Sequence, residues 1–202
     1  MNNKGLLLII SGPSGCGKGT VCKALLERNP EIKLSISATT REVRVGEKEG
    51  VTYFYKTKDE FEQMIKNDEL LEYVKGYSDQ YYGTPKEYVA EQLDEGNVIF
   101  LEIEMKGALN VKSKLPETVT IFLAPPSLEE LHRRLVERGR ESAELIEERF
   151  NQAKYEMTFA PKYDYIVVND TVDQAVERIK TIIAAEKFAV CRNGDLINEL
   201  TK

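Results

Sequence analysis

The chain has 202 residues, of which 42% are hydrophobic, and a formal net charge of −6. This length suits one domain, or one domain with insertions, and it is enough to bury a sizeable core. The acidic balance argues against a general binder of nucleic acids or of anionic membranes. A phosphate-binding site in such a chain would have to concentrate Lys and Arg locally.

Three cysteines without a Cys-x-x-Cys pair (Cys16, Cys22 and Cys191) indicate free thiols in a reducing compartment. The first apolar run is too short, and too soon followed by Gly and Ser, for a secretion signal. No stretch approaches the length of a membrane span. We therefore expect a cytoplasmic protein with no membrane partner. The single histidine, His132, lies among arginines, which disfavours a hydrolase triad that needs a His.

The first predicted strand, residues 6–11, leads into a glycine-rich loop and then a predicted helix that ends near Arg28. The spacing of Gly12, Gly17 and Lys18 matches G-x-x-x-x-G-K, the loop that cradles a polyphosphate with its backbone N–H groups. The nucleotide-binding residues expected here are Gly12, Pro13, Ser14, Gly15, Cys16, Gly17, Lys18, Gly19 and Thr20. Because Gly19 stands where the magnesium-binding Ser or Thr usually follows the Lys, we expect phosphates, waters and a carboxylate to hold the metal.

Further apolar runs at residues 98–103, 119–123 and 165–168 predict strands that are covered on both faces, as in a parallel sheet. Capping boxes predict helix starts between them. The boxes pair Thr57 with Glu60, Thr84 with Glu87, Ser127 with Glu130 and Thr171 with Gln174. The last of these helices should run to about residue 190. The alternation predicts a three-layer α/β fold with ligands at the carboxyl ends of the strands.

Two segments interrupt this alternation. Residues 38–84 are rich in Tyr and polar groups, with antiparallel strands expected at 52–55 and 70–75. Residues 133–149 are rich in Arg and Glu. Both are predicted to be insertions on the sheet core.

Four motifs together resemble the guanylate kinase family: the glycine-rich loop at 12–20, Ser37 to Arg44, Tyr81 to Thr84 and Ala124 to Ser127. The resemblance extends over residues 5–187. It implies transfer of the γ-phosphoryl group of ATP to GMP, giving ADP and GDP, with Mg²⁺ as cofactor. It also implies a P-loop kinase core (1–37, 85–126 and 156–202), a small mixed α/β GMP-binding insertion (38–84) and a helical lid (127–155). A monomer and a homo-oligomer both remain open.

The expected GMP site contains two arginines, Arg41 and Arg44, whose spacing lets both converge on one phosphate. Tyr53 and Tyr82 resemble the family's phosphate-binding tyrosines. For the base, the resemblance assigns guanine recognition to Glu72, a carboxylate that accepts from two adjacent guanine donors. The remaining base contacts that it implies are Ser37, Thr84 and Glu104.

Phosphoryl transfer relies mainly on positioning and on cations that stabilise charge. The expected catalytic residues are Lys18, Arg44 and two lid arginines, Arg138 and Arg149. Arg134 is expected at the ATP phosphates and Asn169 at the ATP base. Glu102, at the end of the 98–103 strand and on the same face as Glu104 by alternation, is the expected acid for magnesium, directly or through water.

Two other functions stay open on the sequence alone. One is a nucleoside monophosphate kinase with another base specificity, since the Gly17 to Thr20 variant of the loop also resembles adenylate kinases. The other is an inactive guanylate-kinase-like module that binds a protein partner. The intact loop, Lys18 and the lid arginines favour the enzyme.

Overall fold

The structure is a computed structural model that describes residues 5–76, 79–137 and 142–202. Its strands are β1 (Leu6–Ser11), β2 (Ile32–Leu34), β3 (Ala38–Thr39), β4 (Phe54–Tyr55), β5 (Leu70–Lys75), β6 (Tyr81–Pro85), β7 (Val98–Glu102), β8 (Val119–Ala124) and β9 (Tyr165–Val168). Its α-helices are α1 (Lys18–Arg28), α2 (Lys58–Lys66), α3 (Lys86–Asp94), α4 (Met105–Lys114), α5 (Leu128–Glu137), α6 (Ala143–Met157), α7 (Val172–Glu186) and α8 (Gly194–Leu200).

The core is a five-stranded sheet in the order β2-β7-β1-β8-β9, and all its pairings are parallel. All six residues of the central strand β1 are buried. Its alternate side chains enter two different hydrophobic clusters: Leu8 packs with α1 and α7 on one face, and Ile9 packs with α3 and α4 on the other. The predicted three-layer α/β core is thereby confirmed.

The apolar runs placed four of the five core strands to within one residue at each end and missed the edge strand β2, two of whose three residues are exposed. The strand predicted at 165–168 is β9, whereas the strand predicted at 98–103 ends one residue earlier, at Glu102. Glu104 consequently lies outside the strand, at the N-cap of α4. Because Glu104 keeps extended backbone angles and α4 begins only at Met105, the expectation that Glu102 and Glu104 share one face stays a prediction.

The capping predictions had mixed outcomes. Thr57 forms the complete box with Glu60, and Thr171 caps α7, which ends at Glu186 rather than near residue 190. Ser127 accepts from the backbone N–H of Glu130 as expected. The predicted box at Thr84 was wrong: Thr84 lies in β6 and donates its hydroxyl to Glu72, and Pro85 is the N-cap of α3.

Residues 38–85 contribute a second sheet, in the order β4-β3-β6-β5. The strand expected at 70–75 is β5, and it pairs antiparallel with β6. The strand expected at 52–55 is reduced to Phe54–Tyr55 and pairs parallel with β3, so its antiparallel assignment was wrong. Phe61 of α2 is fully buried against this sheet and anchors a small separate core.

The charged segment after Ser127 forms a pair of packed helices, in which Leu131 and Leu135 of α5 bury against Ala153 of α6. Among the described helices, none is long and apolar enough to cross a membrane. The division into three functional segments remains a prediction.

Candidate functional site

The glycine-rich loop connects β1 to α1 along a path that only glycine allows. A Cβ on Gly12 would lie 2.3 Å from the carbonyl oxygen of Leu123 in the neighbouring strand β8. Gly17, the N-cap of α1, has a φ of 87°, in the left-handed region. The loop thus presses against the sheet and opens at the N-terminus of a helix, where backbone N–H groups attract anions.

Lys18 is the first residue of α1, and its side chain is only partly buried. Its Nζ donates to the carbonyl oxygen of Gly12 over 3.4 Å, a long and therefore weak hydrogen bond. The ammonium group therefore lies within the loop, and it can exchange this weak hydrogen bond for one to a phosphate oxygen.

Arg134 and Asn169 brace the loop through one carbonyl group. The amide nitrogen of Asn169 donates to the carbonyl oxygen of Cys16 over 2.8 Å, and Nη1 of Arg134 reaches the same oxygen over 3.4 Å. Arg134 also donates to the backbone carbonyl of Asn169 over 3.1 Å. Both residues expected at the ATP site therefore contact the loop, and Asn169 is buried there.

The thiol of Cys16 lies inside the loop and is completely buried. Burial raises the pKa of this thiol, and it outweighs the opposing effect of Lys18. Because the thiolate is the reactive form, Cys16 serves as a small packing residue here.

A cleft of about 480 Å³ opens beside the loop. Lys18 and Ser14 line one side, Glu104 and Lys106 at the start of α4 line another, and Glu156 of α6 closes it. The backbone N–H of Ser14 donates to the Glu156 carboxylate over 3.1 Å. An anionic oxygen therefore already accepts from a backbone donor of the loop.

The residues expected at the GMP phosphate lie in the second sheet and in the loop between β3 and β4. The Arg41 guanidinium is 5.3 Å from the centre of the Tyr53 ring, and the Tyr53 and Tyr82 rings meet edge to face at 6.1 Å. Arg41 is almost buried, whereas Arg44 is exposed. The structure thus gathers one fixed cation and two phenols, with a second cation on the same loop.

The carboxylate of Glu72 is held in place by its neighbours. Its Oε1 accepts the Thr84 hydroxyl over 2.7 Å, and its Oε2 lies 3.1 Å from where a Cβ on Gly107 would be. Burial raises the pKa of the Glu72 carboxyl, Glu104 raises it further, and the Thr84 hydrogen bond opposes both. Thr84 thereby fixes one oxygen of the carboxylate.

Glu104 lines the cleft together with Lys18, and its charge contributes to the raised pKa of Glu72. Ser37 lies just before β3, partly exposed, and its carbonyl oxygen accepts from the backbone N–H of Phe54 over 2.9 Å.

Of the two expected lid arginines, Arg149 is half-buried on α6. Arg138 lies outside the described residues.

Glu102 ends β7, paired in register with Ile10 of β1. Its Oε1 is 3.8 Å from where a Cβ on Gly19 would be, so this exposed carboxylate lies beside the first turn of α1. No group of three or more His, Cys, Asp or Glu that could hold a metal occurs within residues 5–76, 79–137 and 142–202. A magnesium ion that keeps its waters and binds mainly phosphates needs only one such carboxylate.

Comparisons with known proteins agree with this geometry. The Guanylate kinase family model matches residues 4–186. The chain belongs to the guanylate kinase family.

Guanylate kinases with known sequences are close relatives. That of Caldanaerobacter subterraneus subsp. tengcongensis is 56% identical over 97% of this chain and 95% of its own length. That of Oceanobacillus iheyensis is 55% identical over 92% of this chain and 90% of its own length. The crystal structure of guanylate kinase from Anaplasma phagocytophilum covers 95% of this chain and 90% of its own, with 33% identity and a TM-score of 0.71. The resemblance found from the sequence, the P-loop kinase fold and the enzyme class are confirmed, and neither alternative function gains support.

Two residues at the site had no signal in the sequence that singled them out. Glu156 reaches the glycine-rich loop from 142 residues away in the chain. Glu47 binds Arg41 from within the loop between β3 and β4. A pattern search could have found neither, because each is defined by a partner and not by a spacing.

Proposed function

We propose that the protein is a guanylate kinase that transfers the γ-phosphoryl group of ATP to GMP, giving ADP and GDP. The observation that carries this proposal is the placement of Glu104. Glu104 lines the cleft beside the phosphate loop, and Gly107, three residues further along, lies against Glu72, whose Oε2 would be 3.1 Å from a Cβ on Gly107. This placement supports a donor site and an acceptor site that adjoin at the start of α4.

The proposed mechanism is electrostatic positioning without a covalent intermediate. The loop N–H groups and Lys18 hold the ATP phosphates, with Arg134 and Asn169 keeping the loop in shape. Arg41 and Arg44 offset the repulsion between the GMP phosphate and the ATP polyanion, aided by Tyr53 and Tyr82. The charge that develops on the transferred group is stabilised by Lys18, Arg44, Arg138 and Arg149.

Guanine is selected by a fixed acceptor. The Glu72 carboxylate accepts from the adjacent N1–H and N2–H₂ donors of the base, with Ser37, Thr84 and Glu104 completing the pocket. Adenine has an acceptor at N1, so the same carboxylate would repel it. A site built to pair a substrate donor rejects an analogue that lacks it by large factors.

Magnesium is the proposed cofactor, bound with ATP and contacted by Glu102, directly or through water. The ion supplies charge neutralisation between the phosphates. We also propose that the protein is cytoplasmic, acts on ATP and GMP without nucleic acid or membrane, and is a monomer or a homo-oligomer.

A phosphoryl-transfer assay with GMP, AMP, UMP and CMP as acceptors tests this function. We expect GMP to be preferred by a factor of ~10⁴ or more over AMP, as in sites built around a substrate donor. A preference for AMP would refute the acceptor assignment, and GMP binding without transfer would favour the scaffold.

The raised pKa of Glu72 predicts an acid limit on base recognition. As pH falls, Glu72 takes up a proton at a pH above the ordinary value of 4.5, and the protonated carboxyl no longer accepts from both guanine donors. We expect guanosine affinity to decline below neutral pH earlier than an ordinary Glu would allow. Guanosine is the right probe in calorimetry because the GMP phosphate itself titrates near pH ~6. A flat profile down to pH 4.5 would contradict the role of Glu72.

Arg138→Ala is expected to lower turnover by ~10²-fold, the effect of removing one donor that stabilises the transition state. Arg133→Ala is the matched control, because Arg133 is exposed and pairs with Glu130 and Glu137 on its own helix. Steady-state kinetics at saturating ATP and GMP measure both variants. Wild-type turnover in Arg138→Ala would place the lid contact elsewhere.

A further inference from the structure

One carboxylate organises the loop that carries the two phosphate-binding arginines. Oε1 of Glu47 accepts from Nη2 of Arg41 over 2.7 Å, and Oε2 accepts from Nη1 of Arg41 over 3.0 Å. The same Oε2 accepts the backbone N–H of Arg44 over 2.8 Å and the Tyr55 hydroxyl over 2.8 Å. Glu47 therefore ties Arg41, the backbone of Arg44 and strand β4 together.

This ion pair is shielded and permanently charged. The Arg41 side chain is 7% exposed and that of Glu47 is 19% exposed. The hydrogen bonds from Arg41 and from the backbone of Arg44 lower the pKa of the Glu47 carboxyl to about 2. Bidentate pairs between a guanidinium and a carboxylate are among the strongest and most directional hydrogen bonds. Glu47 stays ionised throughout the range in which the enzyme would work.

The loop between β3 and β4 is not held in place by buried hydrophobic side chains at the positions of its valines. Three of its hydrophobic side chains point into solvent: Val43 is 56% exposed, Val45 is 107% exposed and Val51 is 69% exposed. The loop between β3 and β4 thus lacks a hydrophobic anchor at these positions. Its geometry depends on polar contacts, and Glu47 makes several of them.

Arg41 keeps at least one donor for a ligand after binding Glu47. A guanidinium has five N–H donors in a rigid plane. The backbone carbonyl of Glu42 and the two Glu47 oxygens take three of these donors, and a side-chain hydrogen bond joins Arg41 to Tyr82. At least one N–H is not required by these bonds. Tyr53 flanks the group. The plane of the guanidinium is therefore fixed before any ligand arrives, between Glu47, Tyr53 and Tyr82.

We propose that Glu47 is a positioning residue that preorganises Arg41 and the Arg44 backbone for the monophosphate of the acceptor nucleotide. This inference rests on the proposed function. A negative charge so close to a phosphate site lowers affinity by repulsion. The benefit of Glu47 is that Arg41 and its loop are already ordered in the free protein. Binding of the phosphate then does not have to include the entropy cost of ordering them.

The decisive experiment compares GMP with guanosine in Glu47→Gln, Glu47→Ala and the wild type by calorimetry. If Glu47 acts through the arginines, GMP affinity falls ~10-fold in Glu47→Gln, the scale for hydrogen bonds to charged groups, and further in Glu47→Ala. Guanosine, which lacks the phosphate, binds all three with equal affinity. In kinetics, KM for GMP rises while KM for ATP stays within about twofold of the wild-type value.

Glu42→Gln is the matched control, because Glu42 is an exposed acid of the same loop and Arg41 contacts only its backbone carbonyl among the hydrogen bonds given above. It should leave both affinities unchanged. Equal losses for GMP and guanosine would show that Glu47 only maintains the fold, and tighter GMP binding would show that its charge merely repels. Either result overturns the inference. Wild-type protein that fails to phosphorylate GMP would instead refute the proposed function.

Discussion

Lys18→Ala is expected to reduce kcat/KM for ATP by ~10²–10³-fold, the range for removing one preorganised charge from a transition state. Lys18 is the cation at the mouth of the loop, and its weak contact with the carbonyl oxygen of Gly12 leaves it free to move onto phosphate. Without it, the loop N–H groups still bind ATP, but the charge that develops on the transferred phosphoryl group is less well stabilised. We therefore expect kcat to fall more than the affinity for ATP.

Folding should be unaffected in this variant, because Lys18 is partly exposed and Ala is favourable in a helix. Lys23→Ala is the control on the same helix, since Lys23 is exposed and pairs with Glu27, one turn further along the helix, at 3.8 Å. Steady-state kinetics and direct ATP titration of each variant separate turnover from binding. Lys18→Arg should rescue little, since a planar fork does not replace a compact ammonium group. Undiminished turnover in Lys18→Ala would exclude Lys18 from the chemistry.

The four longer strands of the parallel core were predictable because their own residues mark them, whereas the short edge strand β2 has two exposed residues and no apolar run. A strand that is covered on both faces must be apolar throughout, and β1 and β8 are buried at every position. The phosphate loop was predictable for a similar reason. Its glycines are required by backbone geometry, as the contact between Gly12 and Leu123 shows.

The errors arose where a distant partner decided the local structure. Thr84 has the sequence of a helix cap, yet its hydroxyl bonds Glu72, and this contact across the β5–β6 pair holds Thr84 in a strand. The short β4 follows the parallel direction because it pairs with β3. The spacing of residues within this segment does not predict which strand it pairs with.

The residues of the candidate site fall into the same two groups: those that local motifs predict and those that only contacts in the fold reveal. The motifs and the resemblance predicted the phosphate loop, Arg41 and Glu72, because each belongs to a recognisable local sequence. Glu156, in contrast, is defined by a contact between separate segments, its bond to the Ser14 backbone. The resemblance named Asn169, but its bond to the Cys16 carbonyl appears only in the structure. Motifs therefore predict groups for contact with a ligand, whereas the hydrogen bonds that hold the loop in place are found only in the fold.

Glu72→Gln is the prediction that most directly tests base selection. Thr84 donates to one Glu72 oxygen, so an amide there keeps its oxygen toward Thr84 and turns its NH₂ group toward the base. Guanine then meets a donor with its own donors, which costs a hydrogen bond and leaves groups unpaired. We expect kcat/KM for GMP to fall ~10²-fold or more, and the preference for GMP over AMP to fall with it.

Unlike its activity, the thermal stability of Glu72→Gln should not fall. Since burial raises the pKa of Glu72 in the folded protein, the ionised carboxylate opposes folding at neutral pH, and its contribution becomes favourable only when it is protonated at lower pH. The neutral amide removes that cost, so Tm at pH 7 should stay equal or rise while activity falls. Glu69→Gln, an exposed acid just before β5 that accepts from Asn67, should change neither quantity. If Tm and activity both fell in Glu72→Gln, Glu72 would be a structural residue. A carboxylate that is placed to bind a ligand supports activity but lowers the stability of the fold.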